Sequence, residues 1–103
     1  MPVSELLPLP VQYVRMVASG IVYPHPCLVF LLRAEGLSST VRYARVYDGF
    51  STSDPLISQL SASLGNPDTV FLTQPLSIHA GLYVALESDK VAALCAFMPL
   101  PES

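Results

Sequence analysis

Two histidines, two cysteines and eight carboxylates carry most of the chemical potential of this chain of 103 residues, and their spacing limits what they can do. His25-Pro26-Cys27 sets two metal-ligating types close together. A structural site wants four ligands, usually in spaced pairs, and no C-x-x-C or comparable pair is present. Both histidines instead read as loop residues beside proline or glycine. Ser77-Ile78-His79 puts a hydroxyl near an imidazole, but no serine lies in a G-x-S-x-G elbow. The carboxylates Glu5, Glu35, Asp48, Asp54, Asp68, Glu87, Asp89 and Glu102 are scattered. Their spacing alone does not exclude an acid–base pair for glycoside hydrolysis. Turn chemistry, in which Asp bonds its own backbone, accounts for Asp48, Asp68 and Asp89 without catalysis. The five glycines are isolated and form no phosphate-binding motif. The expectation is a chain that is not an enzyme and has no catalytic residue, cofactor or metal. Cys27 and Cys95 lie in apolar segments, where a free thiol behaves as a small hydrophobe. A disulfide joining their strands is the alternative. The five tyrosines suit interfaces and sugar sites, and equally suit strands; the absence of Trp weakens a sugar-stacking reading.

Composition narrows the class. The length fits one domain. Hydrophobic residues make up 51% of the chain and charged residues 13%, with a mean hydropathy of +0.50. Soluble domains average about a quarter charged residues, and a domain this small buries only about 60–65% of its unfolded surface. Other protein must therefore cover part of it, or a membrane must. The longest uncharged apolar stretch, Met16 to Leu32, is interrupted by Ser19, Gly20, Pro24, His25 and Pro26, whereas a spanning helix needs about 20 unbroken apolar residues. The first residues lack the positive region of a signal peptide. Neither a membrane nor, with five dispersed basic residues and a net charge of −3, a nucleic acid is an expected partner.

Residues 1–10 hold three prolines and read as an extended N-terminal arm. Strand signals follow over Val11–Ala18, Ile21–Tyr23, Cys27–Arg33, Thr40–Tyr47, Thr69–Gln74, Gly81–Glu87 and Lys90–Met98, with Pro55–Leu64 ambiguous between strand and helical turn. Ala34–Ser39, Asp48-Gly49 and Gly65–Asp68 read as turns, 75–80 as a loop, and Ser88-Asp89 as a tight hairpin. The domain then spans 11–98, with a proline-capped tail at 99–103. Seven or eight strands at this spacing predict an all-β, antiparallel sandwich of jelly-roll-like type. In a lone sandwich each strand should alternate apolar and polar. Val91–Met98 does not: Val91, Ala93, Cys95 and Phe97 face Ala92, Leu94, Ala96 and Met98. Cys27–Leu32 repeats this, with Cys27, Val29 and Leu31 on one side and Leu28, Phe30 and Leu32 on the other. The second apolar side predicts a subunit interface formed by Val29, Leu31, Ala92, Leu94, Ala96 and Met98, together with Leu6, Leu7 and Leu9 of the arm.

The order of several segments carries a resemblance. Ala18-Ser19-Gly20-Ile21-Val22-Tyr23 leads into Cys27–Leu32. Val46-Tyr47-Asp48-Gly49 precedes the Ser51-Thr52-Ser53 loop, and Pro75-Leu76 precedes Gly81-Leu82-Tyr83-Val84. This plan, over about residues 18–98, resembles small β-sandwich virion proteins of tailed bacteriophages. The resemblance implies a non-enzymatic virion structural protein, a capsid-decorating (cement) or head–tail accessory subunit, assembled in the bacterial host cytoplasm. It further implies a homo-oligomer, a trimer being one arrangement, in contact with major capsid or other virion proteins. The competing expectation is a host-surface or glycan-binding module of a fibre, using the loops around Asp48–Asp54 and His79.

Overall fold

The computed structural model describes residues 11–100, with backbone alone for Phe71 and Thr73. The expected arm with Leu6, Leu7 and Leu9, and the last three residues of the tail, lie outside the described residues. Eight strands follow one another: β1 (Gln12–Met16), β2 (Gly20–Tyr23), β3 (Cys27–Gly36), β4 (Arg42–Asp48), β5 (Leu56–Ala62), β6 (Asp68–Ile78), β7 (Leu82–Leu86) and β8 (Val91–Pro99). They form two four-stranded antiparallel sheets, ordered β1-β8-β3-β6 and β2-β7-β4-β5. The fold is all-β and sandwich-like, as the turn spacing predicts.

The pairing has a simple rule. β1 pairs with β8, β2 with β7, β3 with β6 and β4 with β5, so the chain is one long double ribbon folded back at the β4–β5 turn. Lateral pairing of β3 with β8 and of β4 with β7 completes the two sheets. Only the β4–β5 connection stays within a sheet. The expected Ser88-Asp89 hairpin is therefore corrected: β7 and β8 belong to different sheets. A two-residue hairpin turn needs positive φ, and among the described residues only Gly49 and Gly65 have it.

Other boundaries also move. β3 runs on through the expected turn at 34–36, because Glu35 and Gly36 pair with Ala92 and Val91. Within the ambiguous segment 55–64, Leu56–Ala62 is a strand, held by Ala44, Val46 and their neighbours on β4. β6 continues past the expected loop, since Leu76–Ile78 rejoin β3 beyond Pro75. At the chain's far end Pro99 belongs to β8, opposite Cys27, rather than to the tail.

The core lies between the sheets. One side contributes Cys27, Val29, Leu32 and Ala34 of β3, Ile78 of β6, and Val91, Ala93, Cys95 and Phe97 of β8. The other contributes Ala44 and Val46, Leu60 and Ala62, and Leu82 and Val84. Tyr23 reaches across to Phe97, ring centroids 5.1 Å apart, and His25 packs edge-on against Tyr23 at 5.5 Å. Gly36 closes one end of the sandwich: a Cβ there would meet the backbone of Ser63. Asp48 closes the other. Its carboxylate accepts the N–H groups of His79 (3.0 Å) and Ala80 (2.9 Å), tying the β6–β7 turn to β4. Asp54 accepts from Phe50 (2.7 Å) and Ser51 (3.1 Å), ordering the loop after Gly49.

Two outcomes follow. Gly36→Ala is expected to lower stability by about 2–4 kcal/mol, because the steric conflict is with backbone; urea denaturation measures it. Burial acts to raise the Asp48 pKa, but hydrogen bonds from His79, Ala80 and Gly81 outweigh it and hold the carboxyl below its ordinary range. A depressed carboxylate contributes stability that is present above about pH 4 and is lost as pH falls through the lowered value. Asp48→Asn should lower Tm at neutral pH by the equivalent of about 1–2 kcal/mol and flatten this acid limb, which melting curves across the acid range will show.

Candidate interaction surface

The residues that could do chemistry are held apart. Among the described residues no three His, Cys, Asp or Glu side chains come together around a point that would hold an ion. His79 is exposed on its turn. Cys27 and Cys95 are free and buried. Cys27 lies opposite Pro99 and Cys95 opposite Leu32, so they are separated by four residues along β8, about 13 Å at strand rise. A disulfide needs Cα atoms within about 7 Å, which excludes the alternative pairing without strand movement. Burial pushes the Cys27 thiol up to about 11, with Asp48 adding to it, and the Cys95 thiol up to about 12, with Cys27 adding to it.

The first sheet's outer side is different in kind. A bulge decides which residues reach it. Val29 pairs with Phe97, but Leu31 pairs with Ala96, so Phe30 is an extra residue and the inward set passes from Cys27 and Val29 to Leu32 and Ala34. The expected face of Cys27, Val29 and Leu31 is thereby corrected. Val29 is fully buried in the chain's own core, while Leu31 stands on the outer side.

Outside, β8 lies between β1 and β3. Tyr13, Ala96 and Leu31 form one cross-strand row, and Arg15, Leu94 and Arg33 the next. Met98 pairs with Leu28, and Ala92 with Glu35. Leu28, Phe30, Leu31, Leu94 and Met98 are half-buried and belong to no part of the core cluster. Of the expected interface, the structure thus gathers Leu31, Leu94, Ala96 and Met98 on one surface. Ala92 and Ala96, at 1% and 2% exposure, sit low in it, Ala96 between Tyr13 and Leu31. Tyr13, 69% exposed, and Val11, 41%, extend the surface. The period-two pattern Val11, Tyr13, Arg15, Val17 was the signal for them. An Arg15–Glu35 ion pair of 3.5 Å, half exposed on both sides, borders the apolar area, and surface pairs of this type contribute little stability.

The sheet edges are protected rather than open. β1 carries Arg15. β2 has four residues and a register shift. β5 is shifted at Ile57, and its Ser61 N–H is taken by Asp68 at 3.1 Å. β6 contains Pro75 within an irregular stretch. Shifts, charge and proline are the devices that stop edge-to-edge pairing. Among the described residues no helix is long and apolar enough to cross a membrane.

No protein-family model, curated protein or solved structure matches this chain.

Both thiols should be silent to a thiol-specific reagent at neutral pH in the native state and react fully in urea, which absorbance of the released chromophore measures. Because their folded pKa values are raised, stability should hold up to about pH 9 and decline as pH rises further.

Proposed function

We propose that this chain is a non-enzymatic structural subunit of a tailed-phage virion, a capsid-decorating or head–tail accessory protein that works by contact with other subunits. The observation that carries the reading is the apolar outer side of the first sheet, Tyr13, Leu28, Leu31, Leu94, Ala96 and Met98, on a domain whose edges are guarded against pairing. Association across such a surface removes apolar area from water at about 25 cal/mol per Å², and many weak contacts on one particle add through multivalency. The strand order supports the same reading. We read the nested pairs 1–8, 2–7, 3–6 and 4–5 in two four-stranded sheets as a jelly-roll plan, an architecture frequent among capsid and lectin domains. That association rests on analogy of fold, and the setting in a virion rests on the resemblance of the strand-and-turn order.

The fibre-tip alternative, with a glycan on the loops at Asp48–Asp54 and His79, loses support. The Asp48 and Asp54 carboxylates are engaged with loop backbone, and using them for a sugar would release those turns.

Light scattering coupled to size-exclusion chromatography tests the reading. The native protein should form a defined oligomer or be retained on phage capsids. Leu31→Lys combined with Met98→Lys should abolish association while far-UV circular dichroism stays that of a β protein. A monomer at high concentration that also fails to bind capsids would overturn it.

A further inference from the structure

The outer side of the second sheet holds an arginine that has no acid among the described residues. Ala44 and Val46 point into the core, so Tyr43 and Arg45 of β4 face out, both half-buried, while Tyr47 is itself buried at 8% exposure. Arg45 Nε donates to Gln59 Oε1 on β5 at 2.7 Å, and its guanidinium lies over the Tyr43 ring, 5.6 Å from the centroid. Two arginines elsewhere have carboxylates: Arg15 has Glu35 and Arg42 has Glu87, each at 3.5 Å. Arg45 has none among the described residues, and Glu87, two residues along β7 from its register partner Ala85, is already held by Arg42. One nitrogen and the ring thus fix the guanidinium plane while its two terminal nitrogens have no hydrogen-bond partner among the described residues.

The neighbours give this cation a shape. Ala85, the residue opposite Arg45, carries only a methyl side chain. Next to it, Tyr83 pairs with Tyr47, their rings 6.2 Å apart and edge-on at 61°. A planar fork takes a carboxylate through two parallel hydrogen bonds, and tyrosines add an apolar face with a polar tip.

We propose that this face binds a carboxylate-bearing sugar, with the carboxylate on the terminal nitrogens of Arg45 and the sugar ring over Ala85 against Tyr83. Three alternatives fit less well. A neutral sugar leaves the guanidinium unanswered. A phosphate polymer needs several cations, and among the described residues of this face Arg45 alone lacks a carboxylate. An acidic peptide gains most of its affinity by adding a strand to a sheet edge, and the edges of this domain are guarded. A shallow site of this kind is weak singly and gains from copy number; for that gain alone it rests on the multi-copy reading, and the site itself is present on a single chain.

Amide chemical-shift titrations with glucuronic acid and N-acetylneuraminic acid test the proposal, with glucose, a hexaglutamate peptide and inorganic phosphate as comparators. The acids should shift the amides of residues 43, 45, 47, 83 and 85, and salt should weaken the effect. Arg45→Gln should reduce affinity about tenfold or more. Ala85→Leu, which keeps the arginine and puts bulk opposite it, should do the same if Arg45→Gln proves unstable. Equal shifts with glucose, binding of the peptide or phosphate in preference, absence of any shift with the acids, or unaltered binding by these variants would overturn it. Because the titration reads a single chain, its outcome is separate from that of the association experiment.

Discussion

The pairing of β3 with β8 is the constraint on which the rest of the molecule depends. From Cys27 opposite Pro99 to Gly36 opposite Val91, two apolar strands lie side by side in the middle of one sheet. Their inward residues make half of the core, and their outward residues make the apolar surface. The extra residue at Phe30 sets which is which. Without it, the half of β3 beyond the bulge would be turned over, and Leu32 and Ala34 would exchange places with Arg33 and Glu35. The two charged residues would then be driven into a core that contains no buried polar residue among those described.

The opposing sheet divides its sides more conventionally. Ala44, Val46, Leu60, Ala62, Leu82 and Val84 face the core, while Tyr43, Arg45, Gln59 and Tyr83 do not. The domain therefore has two different outer surfaces: the first is apolar at its centre with Arg15, Arg33 and Glu35 beside it, and the second carries Tyr43, Tyr83 and Arg45. The small residues Ala34, Ala44, Ala62 and Ala93 are all buried, so the aromatic bulk at the centre of the sandwich is concentrated in Phe97 and its contact with Tyr23. Among the side chains of the described residues Arg42 carries the exception: its Nε is buried without a hydrogen-bond partner, while its terminal nitrogen reaches Glu87.

Most strands were legible because turn residues punctuate them, and the double apolarity of 27–32 and 91–98 was legible because alternation simply fails there. What the linear pattern lacked was pairing information. A bulge leaves no mark in a run where every residue is apolar, so Val29 and Leu31 could not be told apart. Ser88-Asp89 has the length of a hairpin turn, and only the partners of β7 and β8 show that it crosses between sheets. Pro75 ordinarily argues against a strand, yet on an edge it is tolerated, and β6 is an edge. The tyrosines were visible as a count, but the alignment of Tyr47 with Tyr83, and of Arg45 with Gln59 and Ala85, is a product of register. The cysteines behave as apolar residues, and register again is what separates them.

The nested pairing also dictates an order of events during synthesis. A ribbon folded back at its midpoint joins its earliest strands to its latest, so β1 and β3 wait for β8 to leave the ribosome before their ladders can close. Until then β3 has two apolar sides and no neighbour on the side where β8 will lie. The β4–β5 hairpin, by contrast, is local and can form early, and growth outward from it brings strands together at ever larger sequence separation. Such non-local closure is slow and leaves sticky intermediates. For this chain the interval between translation and closure is the period of greatest exposure to misassembly, and it ends only when its last strand is in place.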